Sequence, residues 1–358
     1  MSASQAQSKH DLEPPQRRVE DPIQLRVISG QFTSIAQEIA ATLQRTGYSQ
    51  LTRESEDLGA GLFDRDGREI AEARSTPILN GALGGLIRGF MERLDGQLED
   101  GDIILHNHPY TGAMHAPDIC VATPIFWEGK LIGFSANSCH LVDVGGAYPG
   151  INVDVVDMWS EAQILDSVRL WAGGVRNEVL WQNIIDNTRT PSLTKGDLEA
   201  LIGACKLGKA RFLALLERYG PKTVFDAAED LMDYSEYLLR SEIATVPDGV
   251  YEAPVGWLDD DGRNFGEPLK VCLKAIVRGS DIEIDLTGSS PEVETAFNAP
   301  FEGATRCAAQ FIVRTVFLDE AKTGDGVPQN EGCYRPITVT APKGTIFNPN
   351  FPRATFAR

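Results

Sequence analysis

The sequence lacks the features that mark several common classes of protein. No stretch approaches the roughly 20 apolar residues that a membrane-spanning helix requires. Residues 1–21 are polar and lack the apolar core of a signal peptide. No segment matches the glycine-rich phosphate loop that ends in Gly-Lys-Ser or Gly-Lys-Thr, and the glycine-rich run at 81–85 is interpreted as a helix-entry packing site. These absences predict a cytoplasmic chain with no membrane partner and no ATP site of its own.

Paired cysteines and an excess of positive charge are also missing. None of the six cysteines forms a CxxC pair, so we expect free and mostly buried thiols in a reducing compartment. Cys139 adjoins His140, but neighbours in a strand point to opposite faces, which argues against a catalytic cysteine. The formal net charge is −18. Because so acidic a surface repels phosphate groups, we expect neither nucleic acid nor anionic membrane as a partner.

The apolar periodicity predicts an α+β fold, a mixture of helices and strands. Helical spacing is found at 25–43, 83–94, 198–219, 227–243 and 304–318. Apolar runs at 119–126 and 131–136 flank a turn and predict a β-hairpin, as do the runs at 274–278 and 282–286. Further short strands are expected at 61–64 and 102–105.

A chain of 358 residues exceeds one ordinary core, so we expect several regions. Residues 1–21 are predicted to be a disordered arm, and residues 22–160 a strand-rich, metal-binding catalytic region. Residues 161–245 are predicted to form a helical region, and residues 246–358 a second α/β region. No closing helix or cap precedes Arg358, so we expect this last region to be truncated at its C-terminal end.

Histidine is rare in this chain, yet four of the five histidines lie between residues 106 and 140: His106, His108, His115 and His140. The carboxylates of Asp118, Asp143 and the upstream Asp57 accompany them. Imidazole nitrogen and carboxylate oxygen together suit zinc, iron or manganese. An HxxD spacing is common by chance, so spacing alone leaves open a second interpretation, in which these histidines cap loops.

Five ordered motifs make the chain resemble the hydantoinase B/5-oxoprolinase family, over nearly its whole length. In order, they are Asn107-x-Pro109-Tyr110-x-Gly112-x-x-His115-x-Pro117-Asp118, Ala136-Asn137-x-x-His140-x-x-Asp143-x-Gly145-Gly146, Asp285-x-Thr287-Gly288-Ser289-Ser290-Pro291, Asn298-Ala299-Pro300, and Asn330-Glu331-Gly332-Cys333-x-Arg335-Pro336-Ile337. Five motifs in family order are far more specific than any one of them. In the family pattern an aspartate usually stands at the position of His108 and a histidine commonly stands at that of Leu141. These two departures leave the proposed ligand positions His115, Asp118 and His140 intact.

The resemblance implies a divalent metal ion, which is zinc, manganese or iron. Its implied ligands are an acidic residue, two histidines and an aspartate, which correspond here to Asp57, His115, Asp118 and His140. The acidic position lies in a short stretch that also contains Glu54 and Glu56. His108 and Asp143 are expected to act in catalysis by orienting a ligand or carrying a proton.

The resemblance also implies a function as the B subunit of an ATP-dependent cyclic amidohydrolase. In that family a separate hydantoinase A-type, actin-like ATPase subunit uses ATP to activate the substrate, and the B subunit completes hydrolysis of the amide. Two alternatives remain open at this point. In the first, the chain is a subunit of an ATP-dependent ketone carboxylase of the acetone or acetophenone type. In the second, it is a non-catalytic assembly subunit.

Overall fold

The computed structural model describes residues 12–318 and 326–356, and its mixture of helices and sheets confirms the predicted α+β class. The first elements are α1 Pro22–Thr46, α2 Gln50–Arg53, β1 Leu58–Asp64, β2 Glu69–Glu72, α3 Pro77–Arg93, β3 Ile103–His106, β4 Asp118–Trp127 and β5 Lys130–His140. The middle of the chain forms α4 Met158–Glu161, β6 Val168–Ala172, β7 Val175–Arg176, α5 Glu178–Asp186, α6 Pro191–Tyr219 and α7 Pro221–Ile243. The last elements are β8 Gly249–Glu252, β9 Gly256–Leu258, β10 Leu269–Val271, β11 Lys274–Arg278, β12 Asp281–Asp285, α8 Arg306–Phe317 and β13 Ile337–Thr340.

Helix α1 forms where the apolar spacing predicted it, and its ends follow from local chemistry. The side chain of Asp21 accepts a hydrogen bond from the backbone N–H of Ile23, and Pro22 occupies the first turn, where a missing N–H costs nothing. At the C-terminal end of the helix, the backbone N–H of Gly47 donates a hydrogen bond to the carbonyl of Leu43. The glycine-rich run at 81–85 lies inside α3 rather than at its entry, because the helix begins at Pro77.

Seven strands form the main sheet, in the order β2-β1-β5-β4-β3-β6-β7. Its centre is the β4–β5 hairpin, which the sequence predicted around the turn at 127–130. This antiparallel pairing continues to the far end of both strands, where Asp118 lies opposite His140. The register therefore places the first residue of one strand beside the last residue of the other.

Both faces of the main sheet are covered by helices. Ile119 and Val121 of β4 belong to the core shared with α1, α6 and α7, whereas Cys120 and Ala122 belong to the core shared with α3. The alternation follows from the strand geometry, in which successive side chains point to opposite faces. A strand buried on both faces has an almost continuous apolar sequence, which explains the long apolar run in β4.

A second sheet contains four strands in the order β13-β12-β11-β8. The predicted hairpin at 274–286 forms its centre as β11 and β12, and β13 joins β12 in parallel. A separate core packs this sheet against α7 and α8 through residues such as Leu239, Ile284 and Val313. Within the described part of the chain, no helix combines the length and the apolar character needed to cross a membrane.

The predicted N-terminal arm lies partly outside the described residues, which begin at residue 12. In its described portion, the backbone N–H groups of Arg18 and Val19 donate to the carboxylate of Asp230 on α7, at 2.9 and 2.8 Å. Val19 is buried in the core that α1, α6 and α7 share. That core also joins the predicted regions 22–160 and 161–245, and the boundaries of the predicted regions stay predictions.

Replacing either of two glycines in α6 by alanine is expected to change the free energy of unfolding, in opposite directions at the two positions. A Cβ at Gly208 would lie 2.3 Å from Ser135 Oγ and 2.4 Å from Ile39 Cδ1, whereas a Cβ at the exposed Gly203 meets nothing within 4 Å. We expect Gly208→Ala to lower the free energy of unfolding by about 1–3 kcal/mol because it overpacks the helix–sheet contact. Gly203→Ala is expected to raise it by up to about 1 kcal/mol through helix propensity. Urea denaturation of both variants checks this, and equal effects would contradict the packing described for α6.

Candidate metal centre

Three of the residues singled out in the sequence meet at one end of the β4–β5 hairpin. His115 precedes β4, Asp118 is the first residue of β4, and His140 is the last residue of β5. The N–H of Asp118 bonds to the carbonyl of His115 at 3.1 Å, which makes a tight turn and brings the two side chains together. The hairpin register supplies the third side chain from the opposite strand.

The three side chains converge on one oxygen atom. His115 Nε2 lies 3.0 Å and His140 Nδ1 lies 2.9 Å from Asp118 Oδ1, and the two ring nitrogens are 2.9 Å apart. All three residues are buried, each less than 5% exposed. His115 Nδ1 and Asp118 Oδ2 are buried without a hydrogen-bond partner, which is costly for polar atoms shielded from water. These three residues are a group whose ligand atoms all lie within 4.8 Å of one another, as one metal ion requires.

The Asp118 carboxyl is held in its ionised form. Burial by itself raises its pKa, but the charges and hydrogen bonds of His115 and His140 act more strongly, and the pKa of Asp118 lies well below its ordinary value. An ionised carboxylate is the form that coordinates a cation. The cluster therefore keeps its acidic donor ready to bind at neutral pH.

Asp57 lies close to the cluster but does not join it through its carboxylate. It immediately precedes β1, and its backbone carbonyl accepts a hydrogen bond from the N–H of His140 at 3.2 Å. Its side chain is half-buried. Within the described residues, the group with mutually close ligand atoms contains His115, Asp118 and His140 but not Asp57. A fourth ligand at Asp57 stays a prediction.

His108 has the contacts of a capping residue. Its Nδ1 accepts the N–H of Tyr110 at 3.2 Å, so the ring caps the short 3₁₀ turn at 109–111. The same ring stacks on Phe351, with centroids 6.3 Å apart. Partial burial lowers the pKa of His108, so the ring is mainly neutral near pH 7. These contacts match the loop-capping interpretation of one histidine, and a catalytic role for His108 stays a prediction.

Asp143 organises the loop that follows β5. Its carboxylate accepts the backbone N–H of Gly145 at 3.0 Å and that of Arg189, and it pairs with the Arg189 guanidinium at 3.3 Å. Gly145 has φ +77°, and a Cβ there would lie 2.4 Å from the carbonyl oxygen of Asn187. Asp143 thus ties this glycine-containing loop to the segment before α6, and its predicted catalytic role is untested by these contacts.

His106 lies apart from the three-residue cluster although it is close in sequence. Its Nε2 lies 3.0 Å from the hydroxyl of Thr111, and its Nδ1 accepts the N–H of Ser167 at 3.0 Å. Burial lowers the pKa of His106 from 6.5 to about 4. The ring is therefore a neutral, hydrogen-bonded core histidine, which is the structural interpretation that spacing alone left open.

A narrow cleft with room for about one water molecule opens beside His115, and one residue that lines it was not identified from the sequence. The lining includes Pro117, Tyr148, Val155, Glu161 and Phe356. Glu161 is only 9% exposed, and burial raises its pKa to about 8. No sequence signal distinguishes Glu161, because it stands alone at the end of a four-residue helix and reaches the cleft only through the tertiary fold.

The fold and the cluster together define an α+β protein with a buried two-histidine, one-carboxylate group suited to a single divalent ion. Comparison with known proteins then gives the family. The model of the family described as hydantoinase B/oxoprolinase matches residues 21–358. The chain belongs to the hydantoinase B/oxoprolinase family, as its motifs indicated.

Two relatives show how far the similarity extends. A putative B subunit of a D-/L-hydantoinase from Pseudomonas sp. (strain NS671) is 39% identical over 348 residues, which cover 94% of this chain and 58% of that protein. The beta subunit of the caprolactamase of Pseudomonas jessenii is 30% identical, with 93% of this chain and 56% of that protein covered. The chain thus spans somewhat more than half the length of these relatives.

Two solved structures share the fold. The ATP-dependent caprolactamase from Pseudomonas jessenii superposes with a TM-score of 0.82 at 30% identity, over 93% of this chain and 56% of that chain. The nucleotide-free acetone carboxylase superposes with a TM-score of 0.85 at 19% identity, over 94% of this chain and 45% of that chain. At that identity the second likeness shows the fold alone.

Because His106 is buried and neutral, we expect it to lower the stability of the folded protein in acid. The unfolded chain takes up a proton at this residue near pH 6.5, while the folded chain does so only near pH 4. As pH falls between these values the unfolded state binds more protons, so the free energy of unfolding falls by about 2–3 kcal/mol on this account. His106→Asn removes this contribution. Denaturant unfolding from pH 7 to 4.5 should show a shallower decline for the variant, and parallel curves would contradict the assignment.

Proposed function

We propose that this chain is the metal-bearing subunit of an ATP-dependent enzyme that hydrolyses a cyclic amide. The observation that carries the proposal is the convergence of His115, Asp118 and His140 at one buried point. Membership of the hydantoinase B/oxoprolinase family supplies the reaction class. The relatives named hydantoinase and caprolactamase act, by those names, on cyclic amides.

The donor set supports a divalent ion of the zinc, manganese or iron type. Two imidazole nitrogens and one carboxylate oxygen are donors that all three metals accept. The donor atoms lie 2.9–3.0 Å apart. Donor atoms this close together would allow His115, Asp118 and His140 to hold one ion jointly. The buried, unpartnered Asp118 Oδ2 and His115 Nδ1 are further polar atoms in need of partners.

Asp57 is proposed as the fourth ligand. Its backbone is already fixed to His140 through the hydrogen bond from the His140 N–H. It stands next to β1, which pairs with β5 along its whole length. A change of the Asp57 side-chain rotamer is a smaller rearrangement than any movement of these strands. We propose that such a rotamer change brings the Asp57 carboxylate to the ion without movement of the hairpin.

When bound, such an ion supplies Lewis acidity, which polarises a carbonyl group or acidifies a water molecule. The protein residues provide the conditions for that chemistry. Burial of the cluster limits competing water, and a narrow cleft opens beside His115. Asp143 holds the Gly145 loop in place near the end of β5, and His108 is proposed to orient or transfer a proton from the neighbouring turn.

A partner chain is proposed to use the ATP. One relative is named as a B subunit and the other as a beta subunit, which implies that each works with another chain. The solved caprolactamase is described as ATP-dependent. We propose a hydantoinase A-type, actin-like ATPase as the partner here, and a cyclic amide activated by phosphorylation as the substrate passed to this chain.

Hydrolysis is favoured over carboxylation by the pattern of similarity. The hydantoinase and caprolactamase relatives are 39% and 30% identical to this chain, whereas the acetone carboxylase is 19% identical. The carboxylase shares the fold, and fold alone does not carry a reaction. A ketone carboxylase therefore remains an outcome that an activity test must distinguish.

Metal content tests the proposed centre directly. We expect the purified chain to hold about one divalent ion, and we expect His115→Ala and His140→Ala each to lower that content at least tenfold, because each removes a donor. His106→Asn is the matched control, since it removes a buried imidazole outside the cluster. Asp57→Ala tests the fourth ligand. Elemental analysis of the folded proteins gives the result, and unchanged metal in both histidine variants would discard the site.

Activity of the reconstituted complex tests the reaction class. The chain, produced together with an actin-like ATPase subunit, is expected to hydrolyse at least one of caprolactam, 5-oxoproline and hydantoin with consumption of ATP. A parallel assay supplies acetone or acetophenone with bicarbonate. Turnover only in the bicarbonate assay would replace hydrolysis by carboxylation. ATP use in neither assay, with no bound metal and with retained binding to the partner, would indicate an assembly subunit.

A further inference from the structure

A large apolar groove opens between α8 and the second sheet, with a volume of about 520 Å³. The register of the sheet places Tyr251 of β8 opposite Ala275 of β11, and Ala275 opposite Ile284 of β12, so these side chains share one face. All three line the groove. The other wall includes Ile312 and Val316 of α8, which are 57% and 62% exposed although both are apolar. The sheet and the helix therefore face each other across a space lined by apolar side chains.

The groove continues a core that is already packed at its inner end. Val277 and Val313 belong to the core that joins the second sheet to α7 and α8, and both also line the groove. They are 2% and 3% exposed, whereas Leu273, in the same lining, is 37% exposed. Burial thus changes from complete to partial along one apolar surface. A contiguous apolar surface of this kind marks an interaction site.

The groove lacks the free polar groups that would hold a small molecule. Thr305 and Tyr251 are the lining residues that carry a polar side-chain atom, and both hydroxyls are already engaged. The Thr305 hydroxyl donates to the carbonyl of Phe347 at 2.8 Å, and that of Tyr251 donates to the carbonyl of Pro247 at 2.7 Å. Sites for small ligands combine apolar walls with a few placed polar groups that fix the orientation of the ligand. A polypeptide with an apolar face fits this lining better.

The width of the exposed sheet face matches one further helix. Four strands about 4.8 Å apart span roughly 14 Å between the outer two, and packed helices lie about 8–10 Å apart. Helix α8 packs against β13 at one edge of the sheet, and α7 packs against β12. The groove residues Ala275 and Tyr251 lie in β11 and β8, toward the other edge. One helix beside α8 would cover β11 and β8 and close the groove.

The groove side of α8 has the surface pattern that packs against another helix. Ala308, Ile312 and Val316 recur at intervals of four residues, and all three line the groove. Residues four apart form a ridge on a helix, beside which the ridge of a second helix packs. A helix bound in such a groove carries apolar anchors at positions i, i+3, i+4 and i+7. The expected occupant is therefore an amphipathic helix.

The relatives contain polypeptide that has no counterpart in this chain. The match covers 94% of this chain but 58% of the hydantoinase subunit, and 93% of this chain but 56% of the caprolactamase subunit. The parts of this chain outside the described residues are 1–11, 319–325 and 357–358, and their sequences contain no valine, leucine, isoleucine, phenylalanine, tyrosine or tryptophan. These short segments lack the apolar anchors that the groove requires, whereas the unmatched part of each relative is long enough to supply a helix.

We propose that the groove is the docking site for an amphipathic helix from the part of the family polypeptide that these 358 residues do not span. The apolar face of this helix lies between α8 and the β11–β8 side of the sheet, and it completes the core of the second sheet. The inference does not depend on the proposed reaction, because it concerns the second sheet and uses no residue of the metal centre.

Binding between two polypeptides tests the docking site. The probe is the part of the hydantoinase subunit of Pseudomonas sp. (strain NS671) that lies outside the match, produced as a separate chain and, in parallel, as overlapping peptides of about 20 residues, each long enough for a helix of some 30 Å. We expect the 358-residue chain to bind the probe in calorimetry. In the complex, we expect slower amide hydrogen exchange in α8 and β8 than in the chain alone.

Two matched variants locate the binding surface. Ile312→Glu places a charge on the groove wall, whereas Val179→Glu places the same charge on α5, at an apolar residue that is 83% exposed and outside the groove lining. We expect Ile312→Glu to weaken probe binding about tenfold or more, because the complex would bury an unpaired charge. Val179→Glu is expected to leave binding unchanged, and circular dichroism checks that both variants are folded. Equal affinity of the two variants, or no binding of either form of the probe, would overturn the proposal.

Other occupants of the groove give distinct results. A dimer of the chain alone that dissociates in Ile312→Glu and persists in Val179→Glu, measured by analytical ultracentrifugation, would assign the groove to a second copy and overturn the proposed occupant. Loss of binding to the ATPase subunit in Ile312→Glu alone would assign the groove to that partner, with the same consequence. Metal content and turnover of a cyclic amide are separate measurements, so the proposed function stands or falls independently of these results.

Discussion

The antiparallel register between β4 and β5 is the constraint on which the candidate metal centre depends. It places Asp118 directly opposite His140, although 21 residues separate them in the sequence. A slip of one residue would turn the His140 side chain to the other face of the sheet. Such a slip is strongly opposed, because both faces of this hairpin are buried and each face carries its own set of apolar side chains. The packing of the two cores thus fixes the geometry of the three donors.

Burial acts to raise the pKa of both Asp118 and Glu161, but their neighbours lead to opposite protonation states. Asp118 is buried beside two imidazoles, and their hydrogen bonds and charges keep it ionised. Glu161 is buried against apolar side chains and Thr355, so its neutral form is favoured. Two buried carboxyl groups of the fold are therefore held in opposite protonation states at neutral pH.

Local sequence patterns predicted many of the helices and strands of the fold. The apolar spacing of α1, α6 and α7 and the hairpin at β4–β5 depend on neighbours within a few residues, and the structure has all of these elements, although α6 and α7 begin seven and six residues before their predicted starts. The start of α3 was missed by six residues, because Pro77 and Ile78 precede the clear apolar period. The sharing of one core between α1 and the later helices was also missed, since packing between distant segments leaves no periodic signal in either one.

The sequence by itself determined the family, the α+β class and the types of donor atom, since ordered motifs and short-range periodicity are written in the residues themselves. Only the tertiary structure decided which histidines converge. His115 and His140 meet at Asp118, whereas His106 bonds to Thr111 and Ser167, and His108 caps a turn. The tertiary structure alone also places Glu161 in the lining of the cleft beside His115. The physical reason is that a metal centre requires donors within a few ångströms, and those distances are set by strand register and by the packing of side chains far apart in the chain.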